Sequence, residues 1–395
     1  MVRAMSGCEQ GTILTGGTGF LGSEVLARLL ERDERPVYVL IRADDDESAD
    51  ERLGALLESL FGSTEPWGDR AIAVCGDVTS PWLGMSSRRR DWLAERADRI
   101  VHCAASVSFT MPLVEQRRIN AGGTRRTIEL AELCARRGDL ESFVHTSTAY
   151  VAGTHPGNFG ECDLDVGQDF RNPYERTKFE AELLVRERGR GLPVQIVRPS
   201  IVVGDSRTGW TPAFNVLYGP MKAFARGAYP AIPARRSAPV DVVPVDFVAD
   251  AIVALAGRPG ATYHLTAGDR ASSVGELIEL GSAAASRPAP RVLPPWLYRR
   301  LIHPLLVRSG NQARRRALRR SEVYFPYFAM RTRYDNSAAR QALAPAGIEP
   351  PPLASYFKRL VAFAQAADWG RRPVARHEVI PPRFGARARP QPVAV

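Results

Sequence analysis

Gly11-Thr-Ile-Leu-Thr-Gly-Gly-Thr-Gly-Phe-Leu-Gly22 decides the fold. Its first five residues read as a short buried strand, and apolar residues at helical spacing run from Phe20 to Leu30, so Gly16-Gly-Thr-Gly19 is the turn between strand and helix. The glycines at 16, 19 and 22 permit a tight turn, close approach of the backbone to a pyrophosphate, and packing of the helix on the strand. The first free N–H groups of the helix then face an anion. A glycine spacing alone is a weak signal; strand before and helix after make it a dinucleotide-binding turn.

Outward from this unit, strand and helix alternate. Val37–Ile41 reads as a second strand, Asp50 to Phe61 as a helix, Ala71–Cys75 as a third strand and Arg99–Cys103 as a fourth. Ile119 to Arg137 is predicted helical, Ser142–Ser147 a fifth strand, Pro173 to Arg188 a helix and Pro193–Val197 a sixth strand. That order implies parallel pairing with right-handed crossovers, an α/β doubly wound parallel sheet of Rossmann type. From Gly204 to Pro239 the alternation gives way to Gly-, Pro- and aromatic-rich sequence, then returns with Val242–Val245, a helix near Phe247–Ala256 and a strand at Tyr263–Leu265. The expected organisation is a dinucleotide-binding domain over 1–271, whose loops at about 204–240 reach the substrate site, and a smaller, discontinuous C-terminal substrate lobe over 272–370. Residues 371–395, rich in Arg, Pro and Ala, are expected to be disordered for want of apolar surface.

The 395 residues, 45% hydrophobic, suffice for a large core. The five cysteines (Cys8, Cys75, Cys103, Cys134 and Cys162) are scattered singly, with no His at ligand spacing, so neither a metal nor a disulfide framework is expected. This usage fits the reducing cytoplasm. Residues 1–10 lack an apolar core segment, and no uncharged apolar run reaches 18 residues, so export and membrane spanning are not expected. The net charge of +10 is uneven: residues 285–395 hold 21 Lys and Arg against 5 Asp and Glu, which leaves residues 1–284 at −6. Only three of the cations in the whole chain are lysines, an imbalance typical of high-GC coding, so arginine number alone does not mark a nucleic-acid surface. An anionic membrane surface, touched peripherally, or a phosphorylated or acidic substrate carrier are the partners such a charge suits.

Tyr174 and Lys178 stand four apart in Asn-Pro-Tyr-Glu-Arg-Thr-Lys, on one face of the predicted helix. A phenol with a pKa of about 10 is a poor acid-base group near neutrality, and a nearby ammonium would favour its ionised form. Thr146-Ser-Thr-Ala-Tyr150 ends the fifth strand, at the carboxyl edge where such sheets meet their ligands, and offers Ser147 or Thr148 as a hydroxyl donor to a substrate carbonyl. Asn120 is a candidate to orient a water leading to Lys178. Arg42 ends the second strand where an NAD site commonly has a carboxylate, which favours NADPH over NADH, with Arg52 as a second contact; Asp44, Asp45 and Asp46 follow closely. Asp77 would lie near the adenine. His102 and His145, inside apolar strands, are expected to be core residues.

Taken in order, the glycine turn, Val-Leu-Ile-Arg42, Gly-Asp77, His-Cys-Ala-Ala105, Asn120-x-x-Gly-Thr, Ser-Thr-Ala-Tyr150, Tyr174-x-x-x-Lys178 and Arg198-Pro-Ser200 resemble the extended short-chain dehydrogenase/reductases. Within them the chain is most similar to the fatty acyl-CoA reductase and thioester reductase branch, from about residue 11 to 267, with echoes at Gly209-Trp210, Gly219-Pro220 and Val243–Val248. The resemblance implies NADPH-dependent reduction of an acyl thioester to an aldehyde, and onward to an alcohol if the aldehyde stays bound. It places the catalytic hydroxyl on Thr148, beside Tyr174, Lys178 and Asn120. The expected dinucleotide contacts are Thr15, Gly16, Thr18, Gly19, Phe20, Leu21, Gly22, Arg42, Arg52, Asp77, Val78, Ala104, Ala105, Tyr174, Lys178, Pro199 and Ile201. No adenylation or carrier segment is recognisable, so the thioester is expected as acyl-CoA or on a separate acyl carrier protein. Pro294–Arg308 mixes bulky apolar and basic side chains, and Arg299 and Arg300 are expected at a phosphate-attracting rim. The alternatives are an epimerase, dehydratase or carbonyl reductase of the same superfamily, or a non-catalytic NADP-sensing protein.

Overall fold

The computed structural model describes residues 10–382 apart from 259, 310–311, 313–314, 316–318 and 320–321. Seven parallel strands form the central sheet: β1 (Gly11–Thr15), β2 (Val37–Ile41), β3 (Ala71–Cys75), β4 (Ala97–His102), β5 (Ser142–Thr146), β6 (Val194–Pro199) and β7 (Thr262–Leu265). Their spatial order is β3-β2-β1-β4-β5-β6-β7. The order reverses at β1/β4, so the carboxyl ends of those strands open the crevice in which such sheets bind ligands. Helices α1 (Phe20–Arg32), α2 (Asp46–Phe61), α3 (Ser87–Ala94), α4 (Leu113–Arg137), α5 (Pro173–Arg188), α6 (Tyr218–Ala225), α7 (Val245–Leu255) and α8 (Val274–Ala285) follow in chain order. One core gathers Leu14, Val25, Val39, Val248 and Ile252, and a second gathers Ile13, Ile100, Ile128 and Phe143. The doubly wound architecture expected from the sequence is the one observed.

Some boundaries differ for identifiable reasons. Helix α2 begins at Asp46, four residues ahead of the expected start, because Asp45 caps it: its carboxylate accepts the Ser48 N–H at 2.8 Å. Helix α4 begins at Leu113, directly after Pro112, rather than at Ile119. The irregular stretch from 204 to 239 contains α6 and a strand at Ala231–Pro233. With α8 and the helix Leu353–Ala366 it builds a third core around Tyr218, Met221, Ile278 and Phe357. The later chain also packs back on the earlier one: Thr332–Tyr334 pairs in parallel with Gly157–Phe159 in a separate two-stranded sheet, and Ala339 and Leu343 join the core beneath α7.

The expected disorder of the tail needs correcting for residues 371–382; its remainder, 383–395, lies outside the described residues. Arg376 is 2% exposed, with its Nε 2.8 Å from Glu24 and its Nη1 3.2 Å from Glu31 on α1. Trp210 donates its indole N–H to the Val374 carbonyl at 3.0 Å, and Ile380 packs with Trp210 and Phe363. Paired charge and one aromatic clamp replace the apolar surface that the composition lacks. Among the described residues no helix is long and apolar enough to cross a membrane.

Candidate active site

The glycine turn is shaped by close backbone packing. Gly16 has φ +75°, and a Cβ there would fall 2.6 Å from the Ala104 nitrogen; at Gly22 a Cβ would fall 2.1 Å from the Gly16 oxygen. Gly19 differs, because a Cβ there would meet only the Gly16 oxygen, at 3.2 Å. It is the exposed member, the N-cap of α1, with no side chain engaging the N–H groups of the first turn. Those N–H groups are left for an anion.

The turn forms one end of a cavity of about 420 Å³. Gly16, Gly19, Phe20, Leu21, Gly22, Ala105, Pro199 and Ile201 line it together with Thr148, Tyr174 and Lys178. The sequence motifs therefore converge on one space. Tyr174 and Lys178 come from the first turns of α5, which starts sharply because Asn172 caps it through the Glu175 N–H at 3.0 Å and Pro173 opens it.

Hydrogen bonding separates the two candidate hydroxyls. Ser147 donates to Glu182 Oε2 at 2.7 Å, inside a buried cluster where Glu182 also holds Arg198 Nη2 at 2.7 Å. Thr148 caps the turn Ala149–Ala152, donates to the Pro199 carbonyl at 3.3 Å, and lies within hydrogen-bonding reach of the Tyr174 phenol. Burial pushes that phenol up to about 12, while the Thr148 hydrogen bond pulls the other way. The Lys178 ammonium does not touch the phenol as the i, i+4 spacing suggested; it donates to the Thr146 carbonyl at 2.7 Å. Burial lowers its pKa to about 8, opposed by Glu182 one turn further along α5. Tyr174 is therefore a protonated donor at neutral pH, because the loss of solvation outweighs any stabilisation of phenolate.

The Asn120 side chain is held by protein partners. Its Oδ1 accepts the Ser106 N–H at 2.8 Å, and its Nδ2 donates to the Ser106 carbonyl and Thr177 Oγ1, both at 3.0 Å. It ties the loop after β4 to α4 and α5. Thr15 is fully buried and bonds His102 Nδ1 at 2.7 Å, so it shapes the turn without lining the cavity. Ala104 donates its N–H to the Thr15 hydroxyl, and Thr18 is exposed on the turn itself. Val78 packs on Gly123, and Asp77 accepts the Thr79 N–H at 2.7 Å. Arg42 is exposed at the end of β2, and Arg52 donates to its carbonyl. Asp45 caps α2 and Asp46 pairs with Arg89, which engages two of the three carboxylates that could have served a ribose. His102 and His145 are buried and stacked with centroids 5.5 Å apart; burial, then Lys178, lowers the His102 pKa to about 3.

The aromatic roof over Tyr174 was not anticipated. Phe109 stacks on Tyr174 at 5.8 Å and on Tyr327 at 5.5 Å, and Tyr327 donates to the buried Glu175 at 2.6 Å, fixing the segment 322–329 above α5. The run Tyr324-Phe-Pro-Tyr-Phe328 was the available signal. Asp241, also lining the cavity, is raised to about 6 by burial and accepts the N–H groups of Ala267 and Gly268. Cys103 lines it as a thiol raised to about 11 by burial. Among the described residues no cluster of His, Cys, Asp and Glu could hold a metal ion.

A parallel sheet with its ligand crevice at a glycine turn, and a Tyr/Lys helix beside it, define a nicotinamide-dinucleotide protein. The chain belongs to the NAD-binding family described as "Male sterility protein", matched over residues 14–252. It is 34% identical over 278 residues to the L-2-aminoadipate reductase large subunit of Penicillium chrysogenum, covering 66% of this chain and 19% of that protein. It is 31% identical over 283 residues to Fatty acyl-CoA reductase 1 of Pongo abelii, covering 63% of this chain and 54% of that protein. The chain thus spans about a fifth and about half of these relatives. The crystal structure of the terminal R domain from the myxalamid PKS-NRPS biosynthetic pathway superposes with a TM-score of 0.77 at 27% identity, covering 93% of this chain and 94% of that one.

Proposed function

We propose that this chain is an NADPH-dependent reductase of an acyl thioester, delivered as acyl-CoA or on a separate acyl carrier protein, that forms the aldehyde and, where the aldehyde stays bound, the alcohol. The observation that carries the reading is the meeting of Thr148 and Tyr174 hydroxyls in the cavity that begins at the glycine turn. The named relatives, two reductases and an R domain, support the substrate class.

The glycine turn, with its open Gly19 face and uncapped α1 N-terminus, fits a pyrophosphate, and Arg42 with Arg52 would meet a 2′-phosphate. When bound, the reduced nicotinamide supplies hydride. Thr148 and Tyr174 donate hydrogen bonds to the thioester carbonyl oxygen and stabilise the charge that develops there, the place where fixed donors contribute most. Tyr174, protonated at neutral pH, can also hand over its proton when that oxygen becomes an alcohol. A thiolate is an adequate leaving group because thiol pKa values lie near about 8.5. Lys178 holds the Thr146 carbonyl and, through it, the end of β5 that presents Thr148; it would also hold a nicotinamide ribose. The aromatic roof of Phe109, Tyr324 and Tyr327 excludes water from the reacting carbonyl. The free thiols of Cys75, Cys103, Cys134 and Cys162 suit a cytoplasmic setting.

The test is to incubate the purified protein with NADPH and a panel of acyl-CoAs, following loss of nicotinamide absorbance and release of free thiol together. Matched loss and release are expected. NADPH oxidation without thiol would instead favour a carbonyl or sugar-nucleotide substrate, and no oxidation a sensing role.

A further inference from the structure

The expected phosphate rim at Arg299 and Arg300 lies on exposed positions of the segment Tyr298–Ile302, and neither residue lines the grooves described here. A different basic site opens next to the cavity. A groove of about 380 Å³ is lined by Arg171, Arg235, Arg331 and Trp296, with Pro326 and Met330 between them. Among the described residues no acidic side chain lines it. Arg171 is already engaged by Glu175, at 3.4 Å, and lies 5.5 Å over the Tyr327 ring. Arg235 and Arg331 are exposed and make no ion pair among the described residues, while Trp296 is 69% exposed.

Backbone bonds hold these side chains in register with the cavity. The Arg235 N–H donates to the Phe328 carbonyl at 3.0 Å, and the Arg331 carbonyl accepts from Gly157 at 3.3 Å. The stretch 326–331 is a shared wall: Tyr327 and Phe328 face the cavity, Pro326, Ala329 and Arg331 face the groove, and Met330 lines both. An extended arm leaving the thioester beside Tyr174 has this rim to cross.

We propose that the groove binds the 3′-phosphoadenosine diphosphate end of coenzyme A, so that the thioester substrate of this chain is acyl-CoA. The proposal rests on the thioester reading above. Two unpaired guanidiniums suit phosphates, which they bind in fixed fork geometry, and an exposed indole next to them offers a face on which adenine stacks. A concave site of this volume matches a nucleotide, in the range of about 300–1,000 Å³ usual for small ligands. The helix of a carrier protein would need a broad face instead.

The test compares an acyl-CoA with the same acyl group on N-acetylcysteamine, a thioester that lacks the nucleotide. For Arg235→Glu/Arg331→Glu, kcat/KM with acyl-CoA should fall about tenfold, equivalent to about 1.4 kcal/mol, and mainly through KM. The N-acetylcysteamine value should stay within about twofold, as befits exposed charges remote from the chemistry. Added salt should raise KM for acyl-CoA alone in the unmutated protein, which guards against a folding defect in the variant. Equal losses on both substrates, or no loss on either, would overturn the proposal, as would a loss confined to an acyl carrier protein. If the unmutated protein reduces neither thioester, the thioester reading fails. The groove is then judged by calorimetric titration of CoA with NADP(H) saturating. Binding that the double variant loses supports it, and absent or unchanged binding overturns it.

Discussion

Ser147 donates its hydroxyl to Glu182 at 2.7 Å, and this bond separates two neighbouring hydroxyls that the sequence left equivalent. Glu182 is fully buried; although burial works to raise its pKa, the Arg198 guanidinium holds it below the usual carboxylate range. Ser147 completes that pair, while Thr148 faces the phenol. Thr148→Ala should therefore lower kcat about 10²- to 10³-fold, as loss of one oxyanion donor does. Ser147→Ala should keep kcat within about threefold and instead destabilise the fold by about 1–3 kcal/mol, because Glu182 loses a buried donor. Steady-state kinetics and denaturant melts of both variants separate the two roles.

Lys178 is expected to set an alkaline limit on activity. Its pKa is lowered to about 8 by burial, so the ammonium that holds the Thr146 carbonyl is present below that pH and lost above it. A pH profile of kcat/KM, which reports the free enzyme, should fall as pH rises through about 8. Tyr174, at about 12, does not titrate in that range. The stability contribution has the opposite sign: between about 8 and the ordinary 10.5 the unfolded chain binds more protons at this residue, so Lys178 favours the folded state increasingly as pH rises. A decline in rate without a drop in melting temperature is the expected signature, and Lys178→Arg should remove the limb.

Arg42 is exposed at the end of β2 while Asp45 and Asp46 are engaged by α2 and Arg89. Arg42→Glu should raise KM for NADPH about 10- to 100-fold, the worth of one or two charge-assisted hydrogen bonds, and leave KM for NADH nearly unchanged. Equal effects on both would assign Arg42 to something other than a 2′-phosphate.

Arg376 sits between Glu24 and Glu31 under α1, 2% exposed. Arg376→Ala leaves two buried carboxylates with less cation and should cost about 3 kcal/mol of stability, read as a lowered urea midpoint, without changing kcat. An unchanged midpoint would mean that residues 371–382 contribute nothing to the fold.

The fold was largely legible because its signals are local. Strand, glycine turn and helix lie within residues 11–32, and Tyr174 and Lys178 share a helix whose cap, Asn172-Pro173, is adjacent. What was not legible depends on distant partners. Tyr327 meets Glu175 from 152 positions away, Arg376 meets Glu24 from 352, and the Asn120 side chain is held by Ser106 and Thr177. Composition correctly found little apolar surface after Arg371, yet it could not show that charges on α1 await Arg376. The i, i+4 spacing of Tyr174 and Lys178 was read as contact, whereas the lysine turns to the strand end and burial governs the phenol.

Tyr174→Phe is the decisive variant, with single-turnover reduction of an acyl-CoA and NADPH binding measured on the same preparation. The reduction rate should fall about 10²- to 10⁴-fold, the range for a lost acid-base group, with NADPH affinity nearly intact. Turnover equal to that of the unmutated protein would remove the phenol from the chemistry.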